Sequence, residues 1–336
     1  MSTVRAVRVC TDEAPTPAPF FVVGCSRSGT TLLRMMLCSH SRISIPPETH
    51  YLIPLLERFS IDRPLTAAEI ESAASVITNH YRWPDLKLDA QEFRRELSQL
   101  TEPDLRDVAQ IVHLWHMRTE GKARWADKTP WYTPIVPELA KMFPNSQFIF
   151  LVRDGRDVAK SLQVTHWVGR WLHENTREWI SALEHEQRWN GSELGRRILL
   201  VRYEGLILET EATLRRICEF IGEEFEPQML SWQGHVDERI PARESGIHRK
   251  LKLRIDPKGV NRWKREMSAR EIFVCEAFMG AQLTRMGYER RYRSALWAPA
   301  FALTRLYCRI VLPLVALQMR ALNFLRKRVG RAFGGS

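Results

Sequence analysis

Five short apolar runs punctuate the chain, at Phe20–Val23, Arg42–Ile45, Arg124–Ala126, Gln147–Val152 and Ile198–Arg202, and none alternates strictly with polar positions. Runs of this kind belong to strands buried on both faces, as in a parallel sheet. Between them the apolar residues recur at helical spacing, over Thr30–Ser39, Tyr51–Phe59, Thr66–His80, Asp89–Leu100, Pro103–Glu120, Pro134–Phe143, Arg156–Leu162, Glu174–Ser192 and Thr210–Ile221. The alternation predicts an α/β fold with a central, mostly parallel sheet of about five strands wrapped by helices. Such sheets bind ligands beyond the carboxyl ends of their strands, so chemistry is expected in the residues that follow each strand.

The chain has 336 residues, 44% hydrophobic and 26% charged, enough apolar material for a sizeable core. Disordered, collagen-like and disulfide-scaffold classes are excluded. The formal charge is +11, yet Arg290 to Ser336 holds ten Lys/Arg and no Asp or Glu. The preceding body is therefore nearly neutral, which argues against a nucleic-acid-coating enzyme. Cysteines 10, 25, 38, 218, 275 and 308 form no CxxC pair and no cluster with histidine, and read as reduced, buried thiols of a cytosolic protein. The first twenty residues lack the apolar core of a secretory signal, and no uncharged apolar run is long enough to span a membrane.

Two strand ends carry the clearest chemistry. Strand Phe20–Val23 runs into Gly24-Cys-Ser-Arg-Ser-Gly29-Thr30-Thr31 and then an apolar helix. Two glycines that let amides turn inward, followed by a helix N-terminus, make an anion cradle. In a nucleotide-triphosphate loop the position of Thr30 would be lysine. Here the cation is Arg27, inside the loop. The strand ending at Val152 leads into Arg153, with Ser161 eight residues on, about two helical turns along. Arginine can grip a phosphate bidentately, whereas a triphosphatase prefers a magnesium-holding carboxylate there. Arg156 and Asp157, next along, read as surface salt-bridging residues at a helix start.

Together these segments resemble the sulfotransferase family that uses 3′-phosphoadenosine 5′-phosphosulfate (PAPS) as donor. The resemblance covers roughly Phe20 to Met267 and implies a P-loop-like, three-layer domain over residues 19–289, after a flexible 1–18. It implies that Arg27, Ser28, Gly29, Thr30 and Thr31 bind the 5′-phosphosulfate and that Arg153 and Ser161 bind the 3′-phosphate. Tyr203, in VRYEGL, is implied at the edge of the adenine pocket or in core packing. The basic loop RIDPKGVNRWKREM matches the family's late loop, making Lys258, Gly259, Asn261 and Arg262 candidates for the 3′-phosphate, with Trp263 packing beneath. The tryptophan that contacts adenine in the cytosolic branch is Leu32 here.

Sulfuryl transfer to a hydroxyl or amine needs in-line attack, a base and positive charge on the departing oxygen. Lys128, in ADKTP, matches a family lysine that faces the donor, so Lys128 and Arg27 are implied to stabilise the transferring group. The cytosolic branch's histidine base is replaced by Pro130. Glu48, in PPETHYL, instead resembles the glutamate base of tyrosylprotein and heparan-type N-sulfotransferases, with His50 as the second candidate. Neither magnesium nor zinc is implied. The competing readings are a P-loop kinase or NTPase and a non-catalytic nucleotide-binding protein. The acceptor class is open: a small molecule, carbohydrate or lipid, with the helical segment from about Leu55 to Glu120 as the expected place for its cleft. Residues 290–336 read as a basic amphipathic helical tail with Arg305, Arg309 and Arg320 on one stripe. That tail suits an anionic membrane surface, and so a cytoplasmic protein peripheral at the inner face. Burial in a homo-oligomer or against the chain's own body are the other outcomes.

Overall fold

The computed structural model describes residues 17–165, 171–246, 249–253, 255–312 and 314. They fall into two compact units, one from the described residues of Met1–Arg153 and Ser181–Val260, the other from those of Asp154–Ile180 and Asn261–Ser336.

The first unit holds the whole sheet. Its strands are β1 (Phe20–Gly24), β2 (Ile43–Ser44), β3 (Arg124–Lys128), β4 (Gln147–Val152) and β5 (Ile198–Arg202). They are all parallel, in the order β2-β3-β1-β4-β5. The α/β fold and five-stranded sheet expected from the sequence are therefore present, with β4 and β5 at their expected bounds. Every residue of β1 is buried, as a central strand covered on both faces requires. Phe20 and Val22 share one core cluster with Leu33 and Leu37 of the Thr30–Cys38 helix. Phe21 points the other way, stacked on Phe148 at 5.5 Å and edge-on to Trp125 at 5.9 Å.

Two boundaries differ for physical reasons. Strand β3 continues through Asp127 and Lys128, whose charges look like loop residues in sequence but are buried against partners described below. Residues Pro130–Ile135 form a 3₁₀ turn, and the α-helix covers only Val136–Met142, because Pro134 and Pro137 lack the amides that earlier α-helical bonds would need.

In the second unit the sequence misled at Arg156. Its guanidinium is fully buried, donating to Asp154 Oδ2 at 2.8 Å and to Glu276 Oε1 at 2.6 Å, and it lies 3.5 Å from the centre of the Trp263 ring. Asp157 is buried too, accepting from the Trp263 amide at 2.7 Å. These are core groups, not surface ones; apart from Asp154, the partners that bury them lie more than a hundred residues away, where local pattern cannot reveal them. The Ala269–Arg285 helix that carries Glu276 opens on a capping box of Ser268 and Glu271.

The beginning of the tail is also arranged differently from the membrane-facing arginine stripe. In the Ala298–Leu306 helix, Phe301 packs on Phe273 at 4.8 Å and Arg305 Nη1 donates to the Ala277 carbonyl at 2.7 Å. Arginine thus turns toward its own unit, while Leu303, Leu306, Ile310 and Leu314 are exposed. Arg320 and the terminal RKRVGR cluster lie outside the described residues, as do Cys10 and residues 1–16 of the N-terminal segment. The five described cysteines are free and buried. Among the described residues no helix is long and apolar enough to cross a membrane, and no group of three or more metal-ligating side chains occurs.

Candidate functional site

Parallel strands direct all their carboxyl ends to one edge of the sheet, and in the first unit that edge gathers Gly24–Thr31, Glu48, Lys128, Arg153 and Tyr203. The loop after β1 is held by its backbone. The Gly24 amide donates to Thr133 Oγ1 at 2.9 Å, and a Cβ at Gly24 would lie 2.4 Å from the Leu151 carbonyl oxygen. Arg27 adopts φ 67°, and Gly29, the N-cap of the next helix, has φ 99° with no side chain to occupy that helix's first amides. Ser28 is fully buried, and its Oγ has no hydrogen-bond partner among the described residues. A buried hydroxyl left this way is costly unless something else meets it.

Tyr203, the first residue after β5, touches several of these parts. A Cβ on Gly29 would meet its ring carbon at 2.4 Å, so glycine is required for contact as well as for φ. The Arg153 guanidinium lies 4.4 Å from the centre of the same ring, and Tyr203 Oη would be 3.1 Å from a Cβ on Gly259. Arg153 is buried and donates from Nη2 to the Gly259 carbonyl at 2.9 Å and from Nη1 to the Arg27 carbonyl at 3.4 Å. The structure thus brings Arg27, Gly29, Arg153, Tyr203 and Gly259 together. Lys258, beside Gly259, sits on an exposed turn capped by Asp256. Ser161, Asn261 and Arg262 belong to the second unit, where Arg262 pairs with Glu266 at 2.7 Å.

Glu48 stands at the centre of a second cluster. Its Oε1 accepts from Lys128 Nζ; its Oε2 meets His50 Nε2 at 2.8 Å and Arg82 Nη2 at 3.4 Å. Burial alone would raise this carboxyl, but Lys128 and His50 outweigh it and hold Glu48 well below the usual carboxylate range. Lys128 Nζ also donates to Thr31 Oγ1 at 3.3 Å, so one buried ammonium spans the anion cradle and the carboxylate. His50 adopts φ 58°, and its ring lies 6.1 Å from that of Tyr81.

Sequence reasoning missed Arg82, which nothing in the local pattern marks, and the supports behind Glu48. Thr49 Oγ1 is bonded to Asp127 and to Tyr132 Oη at 2.7 Å, and its amide donates to Thr129 Oγ1 at 3.2 Å. The signal available was the adjacency of Asp127 to Lys128 and of Thr49 to Glu48.

A family profile described as "Sulfotransferase family" matches residues 19–227. Nodulation protein NoeE of Sinorhizobium fredii is 26% identical over 310 residues, covering 84% of this chain and 69% of that protein. A protein-tyrosine sulfotransferase of Drosophila melanogaster is 23% identical over 282 residues, 80% of this chain and only 51% of that one. Among solved structures, the sulfotransferase domain from the curacin biosynthetic pathway superposes with a TM-score of 0.54 at 21% identity, covering 82% of this chain and 99% of that domain.

Proposed function

Because the chain belongs to the sulfotransferase family, we propose that it transfers a sulfuryl group from PAPS to a hydroxyl or amine acceptor by in-line displacement, with Glu48 as general base. The observation that carries this reading is the placement of Lys128 between Thr31 and Glu48. One cation thereby reaches both the loop that would hold the donor and the group that would take the acceptor's proton.

The residues present fit the donor. Ser28 Oγ is a buried hydroxyl in want of a partner, the helix after Gly29 offers uncapped amides, and Arg27 and Arg153 supply cations around the same loop. When bound, the donor supplies an activated sulfuryl group whose leaving group is adenosine 3′,5′-bisphosphate. Arg153, fixed by the Gly259 carbonyl and the Tyr203 ring, would hold the 3′-phosphate, and Thr30 and Thr31 the 5′ end. Lys128, bonded to Thr31 at the edge of the cradle, would supply positive charge to the leaving oxygen. Glu48 would take the acceptor's proton; Lys128 is the leading cause holding its carboxyl low, and burial favours its protonated form wherever that charge is engaged elsewhere.

A kinase or NTPase reading is weakened by Thr30 in the lysine position and Arg153 in the magnesium-carboxylate position. A thermal-shift comparison separates the two: adenosine 3′,5′-bisphosphate without metal stabilises a sulfotransferase, whereas stabilisation only by ATP with magnesium overturns this reading. Glu48→Gln is expected to abolish turnover and keep bisphosphate binding; an active Gln variant removes Glu48 as base, and loss of turnover separates an enzyme from a binding protein. Peripheral membrane attachment rests on exposed Leu303, Leu306, Ile310 and Leu314. Unchanged vesicle sedimentation after deletion of residues 294–336 overturns it.

A further inference from the structure

The carboxylate of Glu48 has room for about four donors, two on each oxygen. Its Oε2 meets two, His50 Nε2 at 2.8 Å and Arg82 Nη2 at 3.4 Å, whereas its Oε1 meets only Lys128 among the described residues. Ionised, Glu48 offers no hydrogen of its own, so His50 Nε2 carries the one between them and donates it. That nitrogen is spent on Glu48 and is out of contention as a base. The oxygen with capacity left is Oε1, beside the ammonium that also reaches Thr31 in the cradle.

Both donors on Oε2 are fixed by more than Glu48. His50 adopts φ 58°, a left-handed conformation that side chains rarely take and that persists where neighbouring contacts over-determine it. Those contacts are present on either side. The Thr49 amide is bonded to Thr129, and the Leu52 amide donates to Tyr132 Oη at 3.1 Å. Arg82 is anchored through its other terminal nitrogen, Nη1, which donates to Glu244 and, at 3.4 Å, to Asp85. Its backbone amide donates to His80 Nδ1 at 3.3 Å. A planar guanidinium tied at one corner in this way presents Nη2 to Glu48 in one orientation.

We propose that Arg82 and His50 are positioning residues: by filling Oε2 they turn Oε1 to the acceptor, and Oε1 is the atom that takes its proton. The proposal deepens the sulfotransferase reading and rests on it for the words acceptor and base. In that step the acceptor oxygen or nitrogen forms its bond to sulfur. The bond from sulfur to the bridging oxygen breaks, its electron pair leaving with adenosine 3′,5′-bisphosphate. The acceptor's proton ends on Oε1, and the electrons of its former bond stay on the acceptor atom.

Crystal structures of Arg82→Met, His50→Phe and the two combined test the positioning without turnover. Phenylalanine keeps a ring near Tyr81 and methionine keeps most of the stem, but neither has an N–H for Oε2. In each variant Oε1 is expected to move by about 1 Å or more from its place against Lys128, a displacement that matters to catalysis, and to move furthest in the pair. Arg82→Lys, which retains a donor, is expected to hold Oε1 closer to its parent position. Arg243→Met controls for loosened packing, because Arg243 binds Asp85 and the Tyr81 carbonyl but not Glu48. An unmoved Oε1 in His50→Phe or Arg82→Met, or an equal movement in Arg243→Met, overturns the proposal. His50→Phe leaves the Arg82 anchors intact and so decides the matter even where Arg82→Met does not fold. With 2-naphthol and glucosamine as a plain hydroxyl and a plain amine, Arg82→Met is expected to lower kcat about tenfold and leave the KM for PAPS unchanged. Arg82→Lys is expected to recover part of that loss, and an undiminished kcat in Arg82→Met overturns the role. If the parent sulfates neither compound, the crystal structures decide alone. An active Glu48→Gln variant counts against the base reading instead, whereas the carboxylate's orientation is read from the crystals.

Discussion

Thr49 Oγ1 donates a 2.8 Å hydrogen bond to Asp127 Oδ2, so that consecutive residues of a turn, Glu48 and Thr49, are gripped by consecutive residues of a strand, Lys128 and Asp127. Side chains alternate across a strand, so Asp127 and Lys128 leave β3 on opposite faces and fix the turn from two directions. His113 Nε2 completes the buried side, 2.9 Å from the same Asp127 oxygen.

Replacing Thr49 by Val, similar in shape but without the hydroxyl, is expected to cost about 1–3 kcal/mol by leaving Asp127 short of a donor. Turnover is expected to fall while bisphosphate affinity holds, and Thr49→Ser to restore it. If kcat of the Val variant matches the parent, Thr49 does not position Glu48.

At Gly29, alanine meets both an unfavourable φ of 99° and the Tyr203 ring. The strain alone is about 1–3 kcal/mol. Gly29→Ala is expected to lower the melting temperature and to abolish the bisphosphate-induced shift. A variant that still responds fully to bisphosphate would show that the cradle tolerates a displaced Tyr203.

Arg156→Ala strips a fully buried cation from Asp154 and Glu276. Leaving two buried carboxylates without it is expected to destabilise by about 3–5 kcal/mol. Chemical denaturation measures this directly, and a loss under about 1 kcal/mol would place Arg156 with ordinary surface pairs.

His80 titrates at about 4, lowered first by burial and then by the charges of His50, Arg82 and Arg243. The folded form therefore binds this proton less readily than the unfolded chain, whose imidazole titrates near 6.5. Its contribution is intact above that value and declines as pH falls toward 4. His116 behaves alike, its titration brought down to about 4 chiefly by burial. Melting temperature is thus expected to drop between pH 6.5 and 4, less steeply in His80→Asn. An identical slope in that variant would assign the acid sensitivity elsewhere.

The sheet was legible because uninterrupted apolar runs such as Phe148–Val152 have few other fates, and the cradle because glycines and a helix start occur together after β1. Glu48 and Lys128 were legible through motif resemblance, and the structure brings them into contact. What escaped were relations set by tertiary packing. Arg82 reaches Glu48 across 34 residues, Arg156 is buried by partners more than a hundred residues on, and Tyr203 joins three loops that local pattern treats separately. The tail illustrates the same limit. Arg305 shares a stripe with Arg309 by helical periodicity, but which side that stripe faces depends on Phe273 and Ala277.

The ammonium of residue 128 carries three N–H donors and meets Thr31 and Glu48 at once. A ligand in the cradle that drew this ammonium away would weaken its hold on the carboxylate, and linkage would make the effect reciprocal, each ligand altering the other's affinity by the same factor. Lys128→Met removes the one side chain that joins the cradle to the carboxylate, so donor and acceptor are then expected to bind independently of each other.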